Sequence, residues 1–305
     1  MAGFLSPLFE PGFFSSGPVH VALTLGGIVA VVSAVVGIFT VVRGQSFAGH
    51  ALSDIGTAGG SAAVLIGVST LYGFVALNVV GAGAMELIGI RRPRGRDLAT
   101  GIVLGAALGL AALFLYEDTV TSSTTGATVN VLFGSVFTIS SSTVPTIVIL
   151  GAVSLVITLM LYRPLLLSSV SYDLAAARGV PVRLVGAGYL LALALAVSLS
   201  AVTIGAILST ALLIGPAATS LRITTRTAAS IGVAAALGVA ATWAGTLISY
   251  DSSVWTGHNW PVSFCIVAVI FGLYLASAIP ARLRPANRRS AVFNQPSAAD
   301  RTEVR

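Results

Sequence analysis

Apolar runs of about twenty residues recur along the chain, each closed by a short polar interval and each long enough to cross a bilayer as a helix. They occupy residues 19–42, 62–90, 98–116, 141–162, 184–202, 204–221, 228–249 and 261–279. A ninth, shorter run at 47–60 is glycine-rich and interrupted by charge. The pattern predicts an all-α polytopic membrane protein with eight or nine transmembrane helices.

Arginine separates the two counts. The chain has sixteen basic residues, all arginine, and positive side chains collect in cytoplasmic loops. With nine spans and the N-terminus outside, Arg43, the cluster Arg91 to Arg96, Arg163, Arg178, Arg183, Arg222, Arg226 and the arginines from Arg282 onward all fall inside. Glu10, Glu117, Asp118 and Asp251 fall outside. Fusing 47–90 into one span would put Arg43 on the outer side. The N-terminal stretch lacks a basic region and a small-residue cleavage site, so a signal peptide is not expected. Residues 1–281 form the membrane domain, and the polar, basic segment 282–305 reads as a disordered cytoplasmic tail.

Composition agrees. A mean hydropathy of +0.97 with 9% charged residues excludes an ordinary soluble domain. The high pI reflects loops and tail rather than a nucleic-acid surface. A single cysteine, Cys265, excludes an internal disulfide and a thiolate metal cluster.

Local features refine the spans. Asp97 precedes an apolar run and suits an N-cap. Gly101, Gly105 and Gly109 form a small-xxx-small stripe that would let helix backbones approach closely. Pro216 is expected to break or kink its helix, as a pathway-lining break or as a packing kink. The stretch 117–130 is rich in Ser, Thr and Gly and reads as an outer loop. It leads through Leu132-Phe133-Gly134 into a Ser/Thr cluster with re-entrant or extracellular character. Trp255 and Trp260 are expected interfacial anchors and Trp243 a packing residue.

The candidate chemistry lies in the short run. His50 and Asp54 are four residues apart and share one helix face. Ionisable groups inside a membrane are costly and by default point to function, although a helix-packing hydrogen bond is the plain alternative. An imidazole and a carboxylate suit a borderline divalent cation such as zinc or manganese. His20 and His258 near span ends, and Glu117 and Asp118 on the outer side, are weaker candidates for receiving a metal or contacting a partner. Glu86 reads as an anchor at the inner interface.

The inner loop 162–184 is the longest, and Ser171 to Pro181 within it spells a short helix. Ser171 or Asp173 would cap it, an alanine run would form it, and Gly179 with Pro181 would end it. A helix standing outside the membrane needs a surface to pack on, either a partner or the bilayer.

The segment Asp173-Leu174-Ala175-Ala176-Ala177-Arg178-Gly179-Val180-Pro181 resembles the coupling helix of ABC importer permeases, and more narrowly those of the zinc/manganese/iron type. Other stretches resemble the same family in order: Val-Val-Arg-Gly-Gln-Ser-Phe after the first span, Gly49-His50-Ala51-Leu52-Ser53-Asp54, Leu132-Phe133-Gly134, Tyr162-Arg163-Pro164-Leu165, and Ala211 to Ala218. The family pattern places Asp first and His four residues later, the reverse of His50 and Asp54, yet both orders keep the two ligands on one face.

The resemblance implies a type II importer fold and a permease subunit of an ATP-driven importer of divalent metal ions (manganese, zinc or iron). It implies work as a homodimer with a separate cytosolic ATPase and an extracytoplasmic solute-binding protein in a bacterial cell membrane. It also implies that Asp173, Ala176, Ala177 and Gly179, in a coupling helix at about 171–180, meet the ATPase. The absence of lysine agrees, because a P-loop needs one. The metal would be cargo rather than a resident cofactor, with ATP held by the partner. Lipid, but not nucleic acid, completes the partners. The competing reading is an integral-membrane enzyme in which His50 and Asp54 perform acid/base or metal chemistry, with Ser53 adjacent but poorly placed for a triad. A secondary transporter would be expected to show internal repeats and more intramembrane carboxylates, and neither is clear.

Overall fold

A computed structural model describes residues 17–88, 93–122, 126–134, 136–258 and 260–283. These residues form twelve α-helices and no strand: α1 (Gly17–Val42), α2 (Ser46–Leu65), α3 (Thr70–Ile88), α4 (Pro93–Ser122), α5 (Gly126–Phe133), α6 (Val144–Met160), α7 (Tyr162–Val170), α8 (Tyr172–Ala177), α9 (Val182–Ile204), α10 (Ala206–Ile223), α11 (Thr227–Thr256) and α12 (Val262–Leu283). Seven are long and apolar enough to cross a membrane. The apolar stretch Val262–Ala278 of α12 is a further, shorter candidate, and the glycine-rich α2 occupies the place of the short run at 47–60.

The run at 62–90 is not one span. α2 ends at Leu65 in a turn where the Gly67 amide donates to the Val64 carbonyl and the Val68 amide to the Ala63 carbonyl, the paired bonds that close a helix on a left-handed residue. Gly67 takes that role with φ +72°. α3 then starts at Thr70. Apolarity continues across the turn, so composition hid a break that backbone hydrogen bonding imposes.

α1 and α9 form the axis of the bundle. Their spanning windows are 78% and 72% buried, against 17% for α4, so α4 lies at the periphery with Ile102, Leu113 and Tyr116 turned outward. With no aqueous hydrophobic drive between helices, polar side chains and close backbone contact hold such a bundle. Ser33 of α1 and Ser200 of α9 share a 2.7 Å hydrogen bond, the Asn78 amide of α3 donates to Ser198 at 2.9 Å, and Ser154 of α6 donates to the Ala192 carbonyl at 2.8 Å. All these side chains are fully buried.

Several expectations are corrected. Asp97 is no N-cap, because α4 begins one turn earlier at Pro93, and proline favours the first turn of a helix. The stretch 117–130 is not simply a loop: α4 continues to Ser122, and α5 begins at Gly126 and packs among α2, α4, α9 and α10. Asp118 is therefore buried near the end of α4, and Asp251 is buried inside α11, which runs to Thr256. The stripe Gly101, Gly105, Gly109 meets no neighbour within 4 Å among the described residues. Close approach occurs between α2 and α3, where a Cβ on Gly59 would lie 2.2 Å from the Gly73 carbonyl oxygen.

α10 is not broken at Pro216 but continues through it from Ala206 to Ile223. Packed neighbours make proline tolerable inside a membrane helix, and α1, α11, α12 and α2 surround α10. The break falls at Gly205, buried within the bundle between α9 and α10. Trp243 is about half exposed, its indole N–H donating to the Leu23 carbonyl at 3.0 Å. α12 carries the chain to Leu283, and the rest of the expected tail lies outside the described residues.

Candidate functional site

α2 presents two different faces. Gly49, Ser53, Gly56 and Gly60 recur every three or four residues and form one stripe. A Cβ on Gly49 would lie 3.0 Å from Leu213 of α10, one on Gly56 2.8 Å from Phe74 and Asn78 of α3, and one on Gly60 2.6 Å from Phe74. Small side chains are required along this stripe because α3 and α10 occupy the space. Ser53 adds direction: its hydroxyl bonds to the Ala206 carbonyl and lies 2.7 Å from the Ser209 hydroxyl, both on α10. This serine fixes the rotation of α2 at the residue before Asp54.

An adjoining face carries Phe47, His50 and Asp54. His50 Nε2 lies 3.6 Å from Asp54 Oδ2, with the imidazole 52% exposed and the carboxylate 15% exposed. Two donors each about 2.1 Å from a tetrahedral cation stand roughly 3.4 Å apart, so the separation suits joint ligation of one ion. At 1.5 Å per residue, His50 and Asp54 lie about 6 and 12 Å along the axis from Ser46. No group of three or more His, Cys, Asp or Glu that could hold a metal occurs among the described residues. The pair therefore offers two donors of metal-ligand type, with the imidazole half exposed.

The other candidates stay apart from it. His20 is exposed in the first turn of α1, and His258 is exposed beside α11 with Nδ1 3.0 Å from the Thr256 carbonyl oxygen. Glu117 is exposed on α4, while Asp118 is buried and does not offer the docking side chain expected of it. Glu86, near the end of α3, lies over Gly186 of α9, with Oε2 3.4 Å from where a Cβ would sit.

The Arg-bearing end holds a second arrangement that sequence reading missed. Arg43 donates to Ser168 of α7 at 2.7 Å and lies 5.4 Å from the ring centroid of Tyr189, whose hydroxyl is 2.6 Å from that of Thr40. Tyr189 is fully buried. This contact ties the α1–α2 turn, which leads directly to His50, onto α7 and α9. Nothing in the spacing of Arg43, Thr40 and Tyr189 announces it, because the partners are about 150 residues apart.

α8 stands beyond the spans at the same end. Ser171, not Asp173, is its cap, accepting from the Leu174 amide at 3.2 Å. The Gly179 amide donates to the Ala176 carbonyl and the Val180 amide to the Ala175 carbonyl, closing the helix at Gly179 with φ +78°. Ala175 is fully buried against the protein, whereas Asp173, Leu174, Ala176, Ala177 and Gly179 are exposed. The result is a shallow surface of small side chains joined through Val180 and Pro181 to α9.

Comparison with known proteins fits this geometry. The model of the ABC 3 transport family matches residues 18–280. No curated protein matches the chain in sequence. Among solved structures, the chain resembles PsaBC from Streptococcus pneumoniae, determined in complex with a Fab, at 24% identity and a TM-score of 0.74 over 87% of this chain and 92% of that one. It also resembles a protein described as a metal-chelate type ABC transporter in an inward-facing conformation, at 17% identity and a TM-score of 0.67 over 88% of each chain. At these identities the likeness concerns the fold.

Proposed function

Since the chain belongs to the ABC 3 transport family, we propose that it is the membrane-spanning permease subunit of an ATP-driven importer of divalent transition metal ions. The observation that carries the cargo assignment is the His50–Asp54 pair, two metal-ligand types held 3.6 Å apart on the open face of α2. A second copy of the chain would supply the other half of the shell, two imidazoles and two carboxylates in all, which matches the coordination number of a borderline cation.

The exposed surface of Asp173, Ala176, Ala177 and Gly179 is the docking site of a separate ATPase in this reading. A continuous physical route leads from it to the metal pair. α8 is joined to α9, α9 ends at the buried Gly205, and the next residue accepts the Ser53 hydrogen bond beside Asp54. Displacement of α8 by the ATPase would reach the pair through rigid helix and hydrogen bond. The Arg-bearing end faces the cytoplasm of a bacterial cell, the N-terminus faces outside, and an extracytoplasmic binding protein delivers the ion. The membrane-enzyme alternative loses support because the Ser53 hydroxyl is engaged with Ala206 and Ser209 of α10.

The test is uptake into proteoliposomes holding the chain with its ATPase and binding protein, with zinc, manganese and ferrous iron assayed separately. ATP-dependent accumulation of at least one ion is expected. Full ATPase coupling without accumulation of any of them would reject the cargo assignment.

A further inference from the structure

We propose that Arg222 and Tyr274 form a clasp for the phosphate of an anionic phospholipid headgroup, in the leaflet at the arginine-bearing end. The Arg222 guanidinium, on the last turn of α10, lies 4.0 Å from the centroid of the Tyr274 ring on α12 and donates to the Tyr274 hydroxyl. Stacking holds the planar group in place while its remaining N–H donors bond to no described residue, the geometry in which arginine binds phosphate bidentately. Arg222 is exposed and pairs with no carboxylate among the described residues. The comparison with Arg43 is instructive. That arginine also lies over a tyrosine ring, but Tyr189 is buried and Ser168 takes one of its donors. One stack is built into the fold and the other faces outward.

The surroundings point to lipid rather than to a soluble anion. Ile223, Phe271 and Leu275 are 50%, 59% and 50% exposed, and they flank the clasp with apolar surface of the kind a membrane protein turns toward acyl chains. The turn Thr224 to Arg226, directly after Ile223, is polar and largely exposed, which places this level at the headgroup boundary. An arginine fixed over an aromatic ring at that boundary, with apolar surface beside it, accommodates both ends of a phospholipid. The assignment is independent of what the chain transports.

Lipid retention tests it. The purified full chain, stripped and then exposed to equal amounts of phosphatidylglycerol and phosphatidylcholine, is examined by native mass spectrometry. Wild type should keep phosphatidylglycerol over phosphatidylcholine by about fivefold or more. Arg222→Gln and Arg222→Lys should each lose one bound phosphatidylglycerol per chain, the lysine variant serving as a folded control that keeps the charge but loses the fork. Arg226→Gln should retain it, and inorganic phosphate should not displace it. Equal retention in wild type and both Arg222 variants would overturn the proposal. So would equal loss in Arg226→Gln, which indicates diffuse attraction, or displacement by phosphate, which indicates a free-phosphate site. An Arg222→Gln chain that keeps the lipid but fails to bind its ATPase would assign the residue to protein docking instead.

Discussion

Gly134 and Gly205 touch backbone to backbone in the interior of the bundle. A Cβ on Gly134 would lie 2.4 Å from the Gly205 amide nitrogen, and one on Gly205 would lie 2.3 Å from the Leu132 carbonyl oxygen. Gly205 has φ +87° and ψ 154°, a region open essentially to glycine alone. The contact seats the end of α5 against the junction of α9 and α10, one residue from the carbonyl that holds Ser53. Gly205→Ala should therefore destabilise the chain by about 1–3 kcal/mol through backbone strain alone, with a further loss from the clash. Denaturation in detergent measures this, and an unchanged midpoint in both Gly205→Ala and Gly134→Ala would refute the tight contact.

The proposed metal role of His50 and Asp54 makes a prediction that depends on geometry rather than on residue order. His50→Ala and Asp54→Ala should each lower uptake at least tenfold while membrane insertion and ATPase binding persist. The exchange His50→Asp with Asp54→His restores one imidazole and one carboxylate on the same face, one turn apart, and should recover uptake relative to either single alanine variant. Wild-type uptake in both alanine variants would return the pair to a packing role.

At α8, the exposed alanines are the informative sites. Ala177→Trp adds bulk to the surface proposed to meet the ATPase without touching the buried Ala175, so it should uncouple ATP hydrolysis from uptake and leave folding intact. Gly179→Trp should uncouple as well, and it carries an extra cost because its φ is +78°. A Gly179→Ala chain separates the two effects: it bears the strain, of order 1 kcal/mol, but little bulk. Intact coupled uptake in both tryptophan variants would remove α8 from the coupling route.

Two glycines of similar sequence context should behave oppositely. Gly59→Ala places a methyl group 2.2 Å from the Gly73 carbonyl oxygen and must push α2 away from α3. Gly105→Ala on α4 meets open space and should be neutral, or slightly stabilising from the better helix propensity of alanine. Thermal unfolding in detergent distinguishes them, and equal effects would contradict the observed α2–α3 packing.

Much of this was legible beforehand. Long apolar runs require helices in lipid, because backbone groups find no other partners there, so helix class and most spans follow from hydropathy. The short helix α8 was readable because its cap, alanine run and terminating glycine are local chemistry. Ser171 and Gly179 perform the roles their types allow. His50 and Asp54 stood out because charge inside an apolar run is expensive, and their shared face needs nothing beyond helical geometry.

Tertiary structure decided the rest. Apolarity does not change at Gly67, so only the hydrogen bonds of the turn separate α2 from α3. The stripe Gly101, Gly105, Gly109 had the stronger regular spacing, yet Gly49, Gly56, Gly59 and Gly60 are the glycines under neighbouring helices, because which face of a uniformly apolar helix turns inward is set by its partners. Asp118 and Asp251 are buried because α4 and α11 extend past the points where hydropathy falls. The tie from Ser53 to α10, the Gly134–Gly205 contact and the Arg43–Tyr189 stack join residues distant in sequence. By itself, then, the sequence determined that the chain is helical, where most of its spans lie and which chemistry they bear. The fold decided which faces meet, since in a bundle apolar on every side close packing and buried hydrogen bonds, not hydrophobic periodicity, choose the neighbours.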